Sequence, residues 1–137
     1  MISVLLAIHN SRNFAVNCLN MMVQTFRTLG STEVEFILIN DKSDEAQQIP
    51  QLLSSFRQQL PAGVAAKEFH FKEHQHYTRA LAYGLSAAKG RHILFVSHDM
   101  MITPDYVRTL LAVASSDASI GLVRGVCGHA GLAHCPD

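Results

Sequence analysis

The sequence predicts an α/β domain: a mostly parallel sheet with helices on both faces, in three α/β/α layers. Three observations carry that expectation. Apolar runs of strand length alternate with segments of helical periodicity along the chain. The strongest runs are apolar at consecutive positions, the pattern of strands covered on both faces. At 137 residues, 48% of them apolar, the chain is long enough for one real core, burying roughly 68% of the surface its unfolded form exposes.

The elements follow in order. ISVLLAI (2–8) is a continuous apolar strand. FAVNCLNMMVQTFRTL (14–29) sets Val16, Leu19, Val23 and Phe26 at helical spacing, with Ser11 or Asn13 available as N-cap. VEFILI (34–39) is a second apolar strand, and a polar helix with Ile49, Leu52, Leu53 and Phe56 on one face is expected over about 45–60. VAAKEFHF (64–71) is a weaker strand. TRALAYGLSAAKG (78–90) reads as a helix stopped by Gly90. RHILFV (91–96) is the third strong strand, a helix carrying Val107, Leu110, Leu111 and Ala114 begins after Pro104, and IGLVRGV (120–126) reads as a last strand. No internal repeat or low-complexity segment interrupts this order, so residues 1–126 are expected to form one domain and 127–137 a tail.

Composition narrows the function classes. Eleven basic residues balance eleven acidic ones, leaving no basic patch for nucleic acid and no charged tail. No apolar run approaches the roughly 18 residues needed to cross a bilayer. The opening ISVLLAI lacks the basic flank and small-residue cleavage site of a signal peptide and reads as a strand. Three cysteines, an odd count with Cys18 inside a helical pattern, suit the reducing cytoplasm better than a disulfide framework.

In an open parallel sheet, ligands bind outside the carboxyl ends of the strands. Each strong strand here releases into a polar cluster: His9-Asn10, then Asn40-Asp41-Lys42-Ser43-Asp44, then Ser97-His98-Asp99. Asn, Asp and Ser are also ordinary helix caps, but a parallel sheet gathers all three clusters at one edge. The chain has neither G-x-x-x-x-G-K-[ST] nor a G-x-G-x-x-G turn after its first strand, so phosphates would be managed by a metal and side chains. Magnesium or manganese on a diphosphate takes one or two protein carboxylates, with phosphate and water as the other ligands. Asp99 at a strand end could supply that contact; the plain alternative is that it caps the next segment.

ISVLLAIHN, EFILINDKSDE and ALAYGLSAAKGRHILFVSHDMMITPDYV resemble, in order and spacing, the family 2 glycosyltransferases, over about residues 2–123. The resemblance implies the GT-A fold, a Rossmann-like nucleotide-sugar-binding domain. Asn10 matches the Asn after the family's first strand, and Asn40-Asp41 with Ser43 match its acidic pair and Ser. Ala80, Gly84 and Ala88-Lys89-Gly90 match its small-residue helix, and Ser97-His98-Asp99 with Pro104 match its metal-binding D-x-D frame. It implies a nucleotide set of His9, Asn10, Asn40, Asp41, Ser43 and Ser97, with Asp99 holding Mn2+ or Mg2+ on the diphosphate of a nucleotide-diphosphate sugar. Arg79 stands near enough in sequence to reach a phosphate, or is a solvated helix residue.

The departures are Asn40 for the first acid of the pair, Ser97 for the first Asp of D-x-D, and His74 and His76 where the family often has Asn and Gly. The family's general base and acceptor site lie in a later half that these residues do not represent, so no base is assigned. The expectation is a glycosyltransferase, or its donor-binding part, acting on a saccharide, lipid or protein acceptor. A non-catalytic binding module of the same fold is the alternative. A receiver domain would end its third strand on an acceptor Asp, where this chain has His70-Phe71. Cys127, His129, His134 and Cys135 form C-x-H-x4-H-C, a spacing unlike the usual zinc patterns. Apolar surface left open on a partial sheet could promote a homodimer.

Overall fold

The computed structural model describes residues 1–30 and 33–125. Its elements are β1 (Ile2–Ile8), α1 (Arg12–Leu29), β2 (Val34–Asn40), a 3-10 turn (Glu45–Gln47), α2 (Ile49–Gln59), β3 (Ala65–His70), α3 (His76–Ala87), β4 (His92–Ser97) and α4 (Pro104–Ser116). The chain divides into a unit spanning Met1–Ile102, which holds the sheet, and a second beginning at Thr103.

The four strands are all parallel, in the order β3-β2-β1-β4. Their carboxyl ends are nearly flush: Ile8 stands beside Asn40, Asn40 beside His70, and Ala7 beside Ser97. β2 and all of β1 beyond Ile2 are buried at every position, which is why these two central strands read as nearly continuous apolar runs, with Ser3, Glu35 and Asn40 as their buried polar exceptions. Successive side chains take opposite faces. On one face Phe36 of β2 meets Phe26 of α1 and Phe56 of α2 edge-on, at ring-centroid distances of 5.1 and 5.2 Å. On the other, Leu5, Ala7, Ile37 and Ile39 pack with Ala80 of α3. Small residues bring α3 close: a Cβ on Gly84 would lie 3.1 Å from Ile39 and 3.2 Å from Leu5.

Three local expectations change. The helix expected over 45–60 is broken at Gln48, which takes φ 48°, because Pro50 has no N–H to donate and its ring excludes a preceding helical turn. The helix expected over 78–90 runs from His76 to Ala87 and ends on an extended Ala88. Gly90 is therefore not its cap; a Cβ there would sit 2.5 Å from the Ser3 nitrogen, so the residue is glycine because β1 passes against it. Residues 120–125 of the expected last strand form no strand; a turn bond from Ile120 N–H to Asp117 O precedes them, and Leu122 is 83% exposed. In that second unit, Thr103 caps α4 by accepting from Tyr106 N–H at 3.3 Å, with Pro104 in the first turn. Among the described residues no helix is long and apolar enough to cross a membrane.

Candidate functional site

The chain steps outward from β1 to β2 to β3, then returns over the opposite face through α3 to place β4 on the far side of β1. The strand order thus reverses between β1 and β4, and it is outside the carboxyl ends at such a switch point that open parallel sheets bind ligands. His9-Asn10 leaves β1 on one side of it, and Ser97-His98-Asp99 leaves β4 on the other.

The first two polar clusters are knitted together. Asp41 N–H donates to Ile8 O at 2.8 Å, Asn10 N–H to the Ser43 hydroxyl at 2.8 Å, and Asp44 N–H to Asn10 Oδ1 at 2.7 Å. Asn40, 6% exposed, accepts from Ser43 N–H at 3.0 Å through Oδ1. Behind them, Gln47 accepts from Arg12 N–H at 3.0 Å, capping α1 in place of Ser11, whose side chain makes no cap bond. Asn10, Ser11, Lys42, Gln48 and His76, the described non-glycine residues with positive φ, all lie in the loops on this edge. Each costs about 1–2 kcal/mol as left-handed backbone, and such strain gathers where a loop is shaped for a ligand.

Asp41 is the hub. Its side chain is 3% exposed, and both carboxylate oxygens are engaged by the β3–α3 loop: Oδ1 by Gln75 N–H at 2.7 Å, Oδ2 by His74 Nδ1 at 2.9 Å. Its carbonyl oxygen accepts from His9 Nδ1 at 2.7 Å. Both imidazoles therefore carry a proton on Nδ1 toward Asp41. The His9 and His74 rings lie 3.9 Å apart at 31°, and His76 stands against His74 at 4.2 Å. Sequence reasoning noted His74 and His76 only as departures and did not place them at the site; the left-handed φ of 65° at His76, where glycine would be expected, is the signal in that segment.

On the β4 side of the switch point, Asp99 is exposed at the tip of a turn in which Met100 N–H donates to Ser97 O at 3.0 Å. The Ser97 side chain beside the Asp99 carboxylate, helped by the Asp99 N–H and by His98 and opposed by burial, holds the carboxyl below its usual range. Burial and then the Asp99 charge raise the hydroxyl of Tyr77, in the first turn of α3. Burial, with the same charge added, pushes the Cys18 thiol of α1 up to about 12. Arg79 lines a groove of about 420 Å³ at the β3 end of this edge, with His70, Phe71, Lys72, Glu73, Tyr83 and Gln75, whose N–H binds Asp41.

No group of three His, Cys, Asp or Glu among the described residues could hold a metal by itself. A single exposed carboxylate kept ionised by a neighbouring hydroxyl does fit a hard divalent ion whose other ligands are phosphate and water. The C-x-H-x4-H-C run lies outside the described residues.

Comparison with known proteins agrees with this architecture. EpsH of Bacillus subtilis (strain 168), which carries a glycosyltransferase name, is 26% identical over 123 residues, covering 87% of this chain and 32% of EpsH. The structure of S. aureus TarS 1-349 in complex with UDP superposes with a TM-score of 0.70 at 22% identity, covering 82% of this chain and 31% of that one. The mannosyltransferase PcManGT from Pyrobaculum calidifontis, in complex with GDP-Man and Mn2+, superposes at 0.74 and 15% identity, covering 88% and 33%. At these identities the structures share the fold, and the chain spans about a third of the length of each relative. The model of glycosyl transferase family 2 matches residues 3–132, nearly the whole chain, and the protein belongs to that family.

Proposed function

We propose that the chain is the donor-binding part of a glycosyltransferase, over residues 1–126 with 127–137 as a tail, which moves a sugar from a nucleotide-diphosphate sugar to an acceptor hydroxyl. The observation that carries this reading is the Ser97–Asp99 pair at the end of β4, next to the strand whose end releases His9-Asn10, at the switch point of the sheet. A base and ribose fit the β1–β2 side, where the Asn40 side chain, its Oδ1 bonded to Ser43 N–H, has an amide NH2 that can donate to a base carbonyl. The diphosphate fits the β4 side. Asp99 would hold Mn2+ or Mg2+ there, and the ion supplies neutralisation of charge on the departing nucleotide diphosphate. Ser97 replaces a carboxylate in that frame and works through Asp99, fixing its orientation and its charge. GDP-Man and Mn2+ in PcManGT and UDP in TarS are in keeping with this donor class. The acceptor, whether saccharide, lipid or protein, meets groups beyond these residues. The unpaired buried thiol of Cys18 suits the cytoplasm. Half-exposed Phe95 on β4, which pairs only with β1 among the described residues, is where a homodimer would form.

Thermal unfolding against UDP, GDP, dTDP and CDP, each with and without manganese, tests the reading. A ligand at a hundred times its dissociation constant adds about 2.7 kcal/mol, several degrees in a domain of this size. One nucleotide is expected to raise the midpoint in a manganese-dependent way. Asp99→Ala should abolish the manganese dependence with the ligand-free midpoint unchanged, and Asn40→Ala should weaken binding with or without metal. A midpoint indifferent to every nucleotide overturns the donor site.

A further inference from the structure

We propose that His74 is a latch on Asp41, and that donor binding exchanges the His74 Nδ1–H for a ring N–H of the base. This rests on the donor-site reading above and specifies how that site is opened. The Asp41 side chain is 3% exposed and already accepts from His74 and Gln75, so no ligand reaches it while the loop is closed. Of the two donors, the Gln75 N–H is backbone and leads into α3, whereas the His74 side chain is 35% exposed and can swing into solvent without burying anything new. What holds it is the bond to Asp41 and the ring contacts with His9 and His76. Only the His74 side chain has to move: the Gln75 backbone stays bonded to Asp41, and His76 keeps its φ of 65°.

The exchange selects by chemistry. Uracil, thymine and guanine carry a ring N–H beside a carbonyl, a donor equivalent to the one that His74 withdraws. Cytosine and adenine present a lone pair at the corresponding ring nitrogen, which faces the carboxylate lone pairs and is repelled. For the first group, hydrogen bonds at Asp41 are conserved across the swap, and the cost is the fraction of time the latch stands open. A hydrogen bond to a charged group shifts an equilibrium by roughly ten- to a hundred-fold, so wild-type affinity is expected to sit at least about ten-fold below that of an unlatched protein.

Isothermal titration of the full chain with UDP, GDP and CDP in manganese, on wild type, His74→Ala and His74→Phe, decides it. The phenylalanine keeps a ring against His9 but has no N–H. UDP and GDP, where they bind, are expected to tighten about ten-fold in both variants, with CDP unchanged. Equal or weaker UDP and GDP binding in the variants overturns the latch while leaving the donor site standing, as does a gain shared by CDP. Absence of binding by all three proteins overturns the donor site and the latch with it.

Discussion

Glu35 offers the sharpest test of what holds the sheet to α3. It lies on β2, 4% exposed, and accepts from the Ser3 hydroxyl at 2.7 Å, Lys89 N–H at 2.6 Å and Lys67 Nζ at 3.1 Å. Ser3 Oγ in turn accepts from Gly90 N–H at 2.8 Å. Glu35→Ala leaves two donors, the fully buried Ser3 hydroxyl and the Lys89 N–H, without an acceptor. Lys67 keeps Ala87 O at 2.9 Å and is 34% exposed, so it adds little. At about 1–3 kcal/mol per stranded donor, the loss comes to roughly 3–4 kcal/mol, or on the order of 10–15 °C at this size. Glu35→Gln keeps one oxygen for Ser3 and Lys89 and loses the ion pair, for about 1 kcal/mol. Burial pushes the Glu35 carboxyl up, but the bonds from Ser3, Lys89 and Lys67 together outweigh it and leave the carboxyl below its ordinary 4.5. A depressed carboxylate stabilises fully above its unfolded value and loses that contribution as pH falls through the lower, folded value. Urea unfolding followed by circular dichroism should therefore show a wild-type advantage over Glu35→Gln that is constant from pH 7 to about 5 and closes below. A gap that widens in acid, or a Glu35→Ala cost under about 1 kcal/mol, refutes the reasoning.

Three further outcomes follow from the same structure. Gly90→Ala sets a methyl 2.5 Å from the Ser3 backbone nitrogen and 2.6 Å from its hydroxyl, in a central strand that cannot retreat; denaturant titration should show a loss of about 2–3 kcal/mol or more. Gly84→Ala meets only flexible side-chain ends at 3.1 and 3.2 Å and should cost about 1 kcal/mol or less. Cys18, 1% exposed with its thiol pushed up to about 12, should resist iodoacetamide at pH 8 in the folded protein and react once urea is added, as mass mapping of its peptide will read.

β1, α1 and β2 were legible to within two residues because their signals are local: continuous apolar runs and a clean helical period ending at Gly30. Where the reading slipped, a residue's reason lay outside its own segment. Pro50 is a boundary hidden inside an amphipathic pattern, and Gly90 mimics a cap although its partner is Ser3, 87 positions away. Residues 120–125 have strand-like composition without a pairing partner among the described residues. The edge that carries the polar clusters was readable, since parallel strands must deliver their loops to one side. The inward engagement of Asp41 was not, because it depends on His74 arriving from 33 residues further along the chain.

A nearly buried acid stands at each end of β2, Glu35 within the strand and Asp41 just after it, and each takes a backbone N–H from a residue flanking α3: Glu35 from Lys89 at 2.6 Å, Asp41 from Gln75 at 2.7 Å. Six residues of strand span about 20 Å, and the twelve residues of α3 rise about 18 Å, so the helix fits between the two carboxylates. Ala80 and Gly84 seat it on Leu5 and Ile39 in between. A helix pinned at both ends and packed along its middle cannot slide to admit a ligand. Tyr77, in its first turn, must then stay within the field of Asp99, while the side chain just outside the helix, His74, is free to give way. Rigidity on the Asp99 side and compliance on the His74 side thus have one cause, the pairing of β2 with α3. Loosening Glu35 removes that division: Glu35→Ala is expected to weaken manganese-dependent nucleotide binding beyond its effect on folding, whereas His74→Ala strengthens it.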